Sequence, residues 1–415
     1  MDQFGTVTTP ANLGFDEERL DRIPEFFSTY LDSKKFSGLS TLIARGDEIA
    51  HFSCQGVQDW DTGAPITPDT IFRIYSMTKP ITSVVIMQLF EEGKLRLEHE
   101  LHRYIPAFKD TQVWESGTWD DYTTKPAERP ILIRDLLSHT SGLTYDFMMQ
   151  HPVDKLYRKN GLAGARAEGL SAKEFVDRAA ELPLLFSPGT GWNYSISTDV
   201  LGRVIEVIEG EPLDKVFKRR IFDPLGMVDT DFHITEDKLD RFATCYDKYT
   251  GTVRVQDKPE TSPYLTGKDF LSGGGGLVST MRDYLIFCRM VAKGGIHNGV
   301  RILSPRTVDL MRVNHLEGDK TMLEMGDSAF TEVGLNGTGF GLGFSVLMDQ
   351  AAAMTTTPVG TYSWGGAAST FFWIDPVEDI VGLSMTQLMP SSTYPIRAQL
   401  QQLTYAALME PNKKQ

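Results

Sequence analysis

The segment IYSMTKPIT, residues 74–82, holds a serine and a lysine three positions apart at the start of an apolar run. Residues three apart share one face of a helix, so the hydroxyl of Ser76 and the amine of Lys79 can come within hydrogen-bonding distance. A serine hydroxyl needs a neighbouring base to act as a nucleophile, and a lysine serves when burial or a nearby cation lowers its pKa. The spacing therefore indicates a candidate nucleophile, Ser76, with an activating Lys79.

Ser-x-x-Lys alone is weak evidence, because ordinary residue frequencies place it about once in a chain of this length. The alternative is an N-cap serine followed by a surface lysine one turn on. The Gly-x-Ser-x-Gly motif of the α/β-hydrolases is absent from the sequence. His139, in LLSHTSGL, is either a catalytic base or a loop histidine bonded to backbone. No His-Glu-x-x-His pattern indicates a metal site, and we expect neither a metal nor a cofactor.

The elements around this motif predict a sheet assembled from both ends of the chain. Residues 15–32 have the spacing of an amphipathic helix, and the stretch that follows reads as two strands joined by a turn at 45–47. FGLGFSVLM, TYSWGG, STFFWIDP and IVGLSMTQ read as consecutive antiparallel strands, and a final amphipathic helix follows them. We predict an α/β domain of residues 1–85 and 285–415, a mostly helical domain of residues 86–284, and a site in the cleft between them.

Composition restricts the classes of partner. The chain has 415 residues and a net charge of −14, which argues against nucleic acid. It has no apolar stretch of about 18 residues, the length that a membrane span requires. Its start lacks the basic and apolar regions of a secretory signal, and its three cysteines are far apart, so we expect reduced thiols and a cytoplasmic location. Nothing in the sequence indicates the oligomeric state.

Six motifs occur in the order found in one superfamily: TPDTIFRIYSMTKPITS, LLSHTSGL, PGTGWNYSISTDVLGRVIE, FDPLGM, SGGGGLVSTMRDY and WGGAASTFFWIDP. In this respect the chain resembles the serine β-lactamase-like proteins, which include class C β-lactamases, DD-peptidases and family VIII carboxylesterases. The similarity extends from about residue 15 to about residue 405. It implies an α/β (α+β) fold in which terminal helices flank an antiparallel sheet beside a mostly helical domain.

The resemblance also implies roles for individual residues. It places the nucleophile at Ser76 and the activating lysine at Lys79. The superfamily's second motif is Tyr-x-Asn, which puts its tyrosine at Tyr194 and leaves Ile196 where asparagine would stand. The loss of that amide makes the cleft less suited to peptide or lactam substrates.

The third motif of the superfamily, Lys-Thr-Gly, is replaced here by Trp-Gly-Gly. Trp364 takes the place of a cation that would suit a substrate carboxylate, and its large ring offers only an indole N–H. The small residues Gly366 and Ala367 would let the strand backbone approach the substrate, so Ala367 is expected to supply an oxyanion N–H. Tyr145 and Trp364 are candidates for lining the substrate pocket, against the alternative that Tyr145 only packs.

With these departures, the chain resembles the family VIII carboxylesterases more than the other branches of the superfamily. The expected function is hydrolysis of short- to medium-chain esters, small-molecule substrates, through an acyl-enzyme on Ser76 activated by Lys79 and Tyr194, with weak β-lactam hydrolysis as a side activity. The alternatives are a β-lactamase or DD-peptidase, and an acyltransferase using the same acyl-enzyme. An inactive binding protein is disfavoured because all three catalytic residue types are present.

Overall fold

The computed structural model describes residues 5–265, 267, 269–326 and 330–412. Its strands are β1 (Gly38–Arg45), β2 (Glu48–Gly56), β3 (Ile71–Arg73), β4 (Gln112–Thr118), β5 (Asp121–Pro126), β6 (Cys245–Asp247), β7 (Arg254–Asp257), β8 (Val278–Thr280), β9 (Ile296–His297), β10 (Val300–Arg301), β11 (Thr338–Phe340), β12 (Ser345–Leu347), β13 (Tyr362–Gly365), β14 (Phe371–Asp375), β15 (Ile380–Thr386) and β16 (Leu388–Met389).

The α-helices connect and cover these strands. They are α1 (Glu17–Leu20), α2 (Arg22–Asp32), α3 (Thr78–Glu91), α4 (Ile133–Leu137), α5 (Pro152–Lys159), α6 (Ala172–Ala180), α7 (Ser197–Glu209), α8 (Leu213–Phe217), α9 (Asp223–Leu225), α10 (Met281–Ala292), α11 (Pro305–Met311), α12 (Met322–Met325), α13 (Gln350–Ala353) and α14 (Ile396–Ala407).

Strands from both ends of the chain form one antiparallel sheet. Its seven strands lie in the order β11-β12-β13-β14-β15-β1-β2, so the C-terminal strands continue directly into the N-terminal hairpin. The join is the β1–β15 pair, in which Leu42 lies opposite Leu383. The predicted fold class is therefore confirmed, whereas the division into domains at residues 85 and 285 stays a prediction.

The terminal helices cover one face of this sheet. Ile23 and Phe27 of α2 and Leu400 of α14 are buried in one cluster with Ile43 of β1 and Trp373 of β14. Burial of each such side chain contributes roughly 1.5–3 kcal/mol relative to exposure. The helix α10 packs against β14 and β15, and its apolar side chains belong to a second, larger cluster that extends to α3 and α7. The helix α3 is buried from Thr78 to Met87, which fixes the segment that follows the serine.

Two segments differ from the sequence prediction. FGLGFSVLM is not one strand but the hairpin β11–β12, because Gly343 between the strands has a φ of 96° that a continuous strand does not accommodate. A Cβ at Gly343 would also lie 2.3 Å from the Ser83 hydroxyl on α3. The middle of the chain contains the helices α4 to α9, and it also contains the hairpin β4–β5, which was not predicted. None of the helices in the described ranges is long and apolar enough to cross a membrane.

Candidate active site

The candidate nucleophile lies in a tight turn between a strand and a buried helix. Ser76 is the middle residue of a 3-10 turn, Tyr75–Met77, that follows β3 and leads directly into α3. Tyr75 has a φ of 41°, in the left-handed region that non-glycine residues rarely adopt. Such a conformation persists only where the surrounding structure fixes it. The turn is buried, and Ser76 is only 8% exposed, so its hydroxyl has a fixed position.

Lys79 lies one helical turn beyond the serine, as the spacing predicts. Its Nζ is 3.3 Å from Ser76 Oγ and 2.6 Å from the carbonyl oxygen of Gly274. Burial lowers the pKa of Lys79 to about 8, although the negative charges of Asp199 and Glu332 oppose that shift. A lysine with this pKa is partly neutral near physiological pH and is able to accept a proton from the serine.

Tyr194 approaches the same serine from the loop that precedes α7. Its hydroxyl donates a hydrogen bond of 2.5 Å to Ser76 Oγ. Burial is the largest cause that raises the pKa of Tyr194 well above its usual value, so the phenol is neutral and remains a donor. The Lys79 amine lies over the face of the Tyr194 ring, 4.6 Å from its centroid. The structure thus brings Ser76, Lys79 and Tyr194 together, and the serine oxygen is where they meet.

A glycine-rich loop holds the lysine in place. The hydroxyl of Thr82 donates to the carbonyl of Gly273 over 2.6 Å, and Asp199 accepts from the N–H of Gly274 over 3.1 Å and from the Ser272 hydroxyl. A Cβ at Gly274 would lie 2.6 Å from Asp199 Oδ2, so only glycine fits there. The loop is therefore bonded to both α3 and α7, and this arrangement presents its carbonyl to Lys79.

The end of β13 comes close to the serine turn. A Cβ at Gly366 would lie 2.3 Å from the carbonyl oxygen of Ile74, two residues before Ser76, so a glycine is required at this approach. The next residue, Ala367, packs in a small cluster with Tyr75. Neither the N–H of Ser76 nor that of Ala367 donates a hydrogen bond to any residue that the structure describes. Both groups are free to bind an oxyanion at the serine.

The two aromatic candidates, Trp364 and Tyr145, both pack against Tyr194. Trp364 is fully buried, and its ring centroid is 5.4 Å from that of Tyr194. Tyr145 is 5.2 Å from Tyr194, and the Lys79 amine lies 5.3 Å from the Tyr145 ring centroid. Tyr145 also stacks on Phe147, which is 40% exposed. Trp364 therefore packs against Tyr194 without exposed surface, and the stack of Tyr145 on Phe147 reaches solvent at Phe147.

Ile196 and His139 occupy the packed side of the site. Ile196 is fully buried in the larger core cluster, and its N–H donates to the carbonyl of Thr144. The His139 ring packs edge-on against Tyr194 at 5.1 Å, and its Nδ1 lies 3.2 Å from the Ser195 hydroxyl. Burial and the nearby Lys79 keep the pKa of His139 well below its usual value. A neutral His139 therefore supports the tyrosine by packing.

Sequence reasoning did not identify Asp199 or the Gly274 carbonyl as parts of the site. Two signals were present: Asp199 follows Tyr194 by five residues, at the start of α7, and four consecutive glycines stand in the SGGGGLVSTMRDY motif. The buried carboxylate has one oxygen, Oδ2, without a hydrogen-bond partner in the described ranges. Burial raises the pKa of Asp199, and the charge of Lys79 acts against that effect.

Comparisons with known proteins identify the family and the fold. The Beta-lactamase family model matches residues 23–406. Protein Rv1367c of Mycobacterium tuberculosis is 36% identical over 362 residues, which cover 86% of this chain and 88% of the relative. Esterase EstB of Burkholderia gladioli is 29% identical over 410 residues, covering 93% of this chain and 95% of the esterase. The solved structure of EstCE1, described as a hydrolase with promiscuous acyltransferase activity, has a TM-score of 0.78 at 28% identity and covers 95% of this chain and 99% of its own.

The chain therefore belongs to the Beta-lactamase family, as the order of its motifs indicated. It is a serine hydrolase of the β-lactamase fold.

Proposed function

We propose that the protein is a carboxylesterase that hydrolyses neutral esters with short to medium acyl chains. The observation that carries this proposal is the convergence of Lys79 and Tyr194 on Ser76 beside Trp364, where other members of the superfamily have a cation. The similarity to EstB and EstCE1 supports it. Within the superfamily this combination is typical of family VIII carboxylesterases.

In the proposed reaction, Ser76 Oγ bonds to the ester carbonyl carbon while its proton passes to Lys79. The N–H groups of Ser76 and Ala367 bind the oxyanion of the tetrahedral intermediate. When the C–O bond breaks, Tyr194 gives its proton to the leaving alkoxide and recovers one from the lysine. Water then attacks the acyl-enzyme by the same proton route. Lys79 and Tyr194 both contact Ser76 Oγ in the free enzyme and exchange a proton during the reaction, so their titrations are coupled.

The proposed substrate class rests on charge and surface chemistry. A penicillin or a peptide C-terminus presents a carboxylate, which a cation at position 364 would bind. Trp364 supplies no cation there and is fully buried against Tyr194, and the nearby stack of Tyr145 on Phe147, which reaches solvent, is apolar as well. A neutral ester loses no ionic contact in such a cleft, whereas an anionic substrate gives up its hydration without compensation. We therefore expect only slow β-lactam hydrolysis.

A p-nitrophenyl ester series from acetate to dodecanoate, measured beside a chromogenic cephalosporin, tests the proposal. We expect rapid turnover of short and medium esters, slow turnover of the cephalosporin, and loss of both in Ser76→Ala. Ser83→Ala is the matched control, because Ser83 is a buried serine on the same helix as Lys79. Retained esterase activity in Ser76→Ala would refute the assignment of the nucleophile. Preferential cephalosporin turnover would identify a β-lactamase instead.

The same acyl-enzyme supports a second candidate function, acyl transfer. EstCE1, which matches nearly its whole length to this chain, is described as having promiscuous acyltransferase activity. Transfer requires only that an alcohol or amine replace water at the acyl-enzyme. Product analysis with a p-nitrophenyl ester and increasing butanol distinguishes the two functions. Butyl ester that accumulates in proportion to butanol indicates transfer, and free acid alone indicates hydrolysis.

A further inference from the structure

The guanidinium of Arg397, near the start of α14, contacts the backbone beside the proposed oxyanion site. Its Nη2 lies 2.7 Å from the carbonyl oxygen of Gly366 and 2.9 Å from that of Thr370. The same nitrogen is 2.9 Å from Glu332 Oε2, and Nη1 donates to the Glu332 carbonyl. A helix distant in sequence from the catalytic motifs thus bonds directly to the end of β13.

The Gly366 carbonyl belongs to the same peptide group as the N–H of Ala367. Because a peptide group is planar, holding its oxygen also fixes the direction of its N–H. The Gly366 oxygen accepts a second hydrogen bond, of 2.9 Å, from the N–H of Ser369. Hydrogen bonds at the carbonyl end polarise the peptide and strengthen the N–H as a donor at the other end. Arg397 therefore acts on both the orientation and the donor strength of the Ala367 N–H.

The two glycines of the Trp-Gly-Gly segment allow close approach to different neighbours. A Cβ at Gly365 would lie 2.4 Å from Arg397 Cζ, whereas a Cβ at Gly366 would lie 2.3 Å from the Ile74 carbonyl. The first glycine therefore admits the guanidinium, and the second admits the backbone that leads into the serine turn. This small segment connects the arginine physically to the nucleophile.

The arginine is itself held by a buried acid. The Glu332 side chain is 1% exposed and also accepts a 2.9 Å hydrogen bond from the Ser391 hydroxyl. Removing one partner of such a pair leaves the other charge buried and uncompensated.

A cavity of about 870 Å³ adjoins the pair, lined in part by Glu332, Ser391 and Arg397. Small solutes can therefore reach the guanidinium position from solvent.

We propose that Arg397 is a positioning residue for catalysis, which orients and polarises the Gly366–Ala367 peptide so that its N–H binds the oxyanion. This inference rests on the proposed function, because it takes an acyl-transfer reaction at Ser76 as given. Arg397 acts through the peptide and does not contact the substrate. Its contribution therefore appears in the transition state and not in ground-state binding.

The first test compares Arg397→Ala and Arg397→Lys with wild type in steady-state ester hydrolysis. Loss of a complete oxyanion donor costs about 10²- to 10³-fold in kcat, so loss of its positioning is expected to cost about 10- to 100-fold. KM should stay within about threefold, because uniform binding is untouched. Arg397→Lys keeps the positive charge but lacks the planar guanidinium, so its kcat should lie between those of wild type and Arg397→Ala.

Arg45→Ala is the matched control for general destabilisation. Arg45 also bonds backbone carbonyls, those of Leu13 and Glu378, and it pairs with the Glu378 side chain. None of these partners belongs to the site. Arg45→Ala should lower the free energy of unfolding while kcat stays near the wild-type value. An equal loss of kcat in both alanine variants would overturn the positioning role.

Chemical rescue provides a readout that lost stability alone does not produce. Millimolar guanidinium, far below denaturing concentrations, should enter the space vacated in Arg397→Ala through the adjoining cavity and raise kcat several-fold. Urea, which is similar in shape but neutral, should not, and neither Arg45→Ala nor wild type should respond. A folded Arg397→Ala or Arg397→Lys with wild-type kcat would refute the inference, and so would an effect confined to KM. Failure of the proposed function is separate, because it would appear as activity retained in Ser76→Ala or as preferential cephalosporin turnover by wild type.

Discussion

The two halves of the site use different chemical groups: side chains in one half and backbone N–H groups in the other. On the nucleophile side, the side chains of Lys79 and Tyr194 meet at Ser76 Oγ, held by α3 and by the loop before α7. On the proposed oxyanion side, the groups that would bind the substrate are backbone N–H groups of the serine turn and the end of β13. The first half depends on which side chains are present. The second depends on how closely two backbone segments approach each other.

This difference determines how each half can be damaged. A side-chain group is removed by one substitution at its own position. A backbone N–H has no side chain to remove, so it is displaced only by a Cβ that forces the segments apart or by loss of a neighbour such as Arg397 that holds the peptide. The two halves should therefore give different kinetic signatures, which the following variants measure.

The largest effects are expected on the nucleophile side. Lys79→Met and Tyr194→Phe should each lower kcat by about 10³-fold or more, because both groups act on the serine proton. The double variant should lose little more than either single variant, since the pair works as a unit. Single-turnover acylation by p-nitrophenyl butyrate measures all three rates. Losses that multiply in the double variant would show that the two residues act independently.

Gly366→Ala tests the backbone half and should have the next largest effect. The added methyl would lie 2.3 Å from the Ile74 carbonyl oxygen, so the strand end has to move away from the serine turn. We expect kcat to fall by about 10²-fold, as for loss of an oxyanion donor, while Ser76 remains reactive towards a fluorophosphonate probe.

Gly334→Ala is the control for this variant, because a Cβ at Gly334 would meet no atom of the described residues within 4 Å. It should leave kcat unchanged. If Gly366→Ala kept wild-type kcat, the close approach of the two segments would have no catalytic role.

The same contrast explains which parts of the site sequence reasoning could find. The spacing of Ser76 and Lys79 indicated a candidate pair, whereas Tyr194 was assigned only through the resemblance to the superfamily's ordered motifs. Arg397 has no such signal: it lies 31 positions after Gly366, and only the folded chain brings them together. Likewise, no residue pattern shows that the Gly274 carbonyl faces Lys79, because a carbonyl is common to every residue.

The fold could be predicted to a similar depth. Alternation and helical periodicity were sufficient for the antiparallel sheet and its terminal helices, since these elements bury continuous apolar faces. The hairpin β11–β12 was read as one strand because the segment FGLGFSVLM is almost free of polar side chains, and the turn is determined by the backbone conformation of Gly343. The hairpin β4–β5 was missed because β5 is exposed along its whole length and has no buried face to produce a pattern.

The smallest effect expected is a shift in the pH dependence of kcat/KM, which tests how the charge of Asp199 affects the pKa of Lys79. Burial lowers the pKa of Lys79 to about 8, and the negative charge of Asp199 acts in the opposite direction. If neutral Lys79 accepts the serine proton, kcat/KM rises with pH through that value and levels off above it. Asp199→Asn removes the charge that favours protonated lysine, so the pKa of Lys79 falls and the rise should move to lower pH. The asparagine side-chain oxygen is still able to accept from the Gly274 N–H, so the loop contact persists. A rise displaced to higher pH would indicate that Asp199 does not act on Lys79 through its charge, and an unchanged profile would assign the titration to another group.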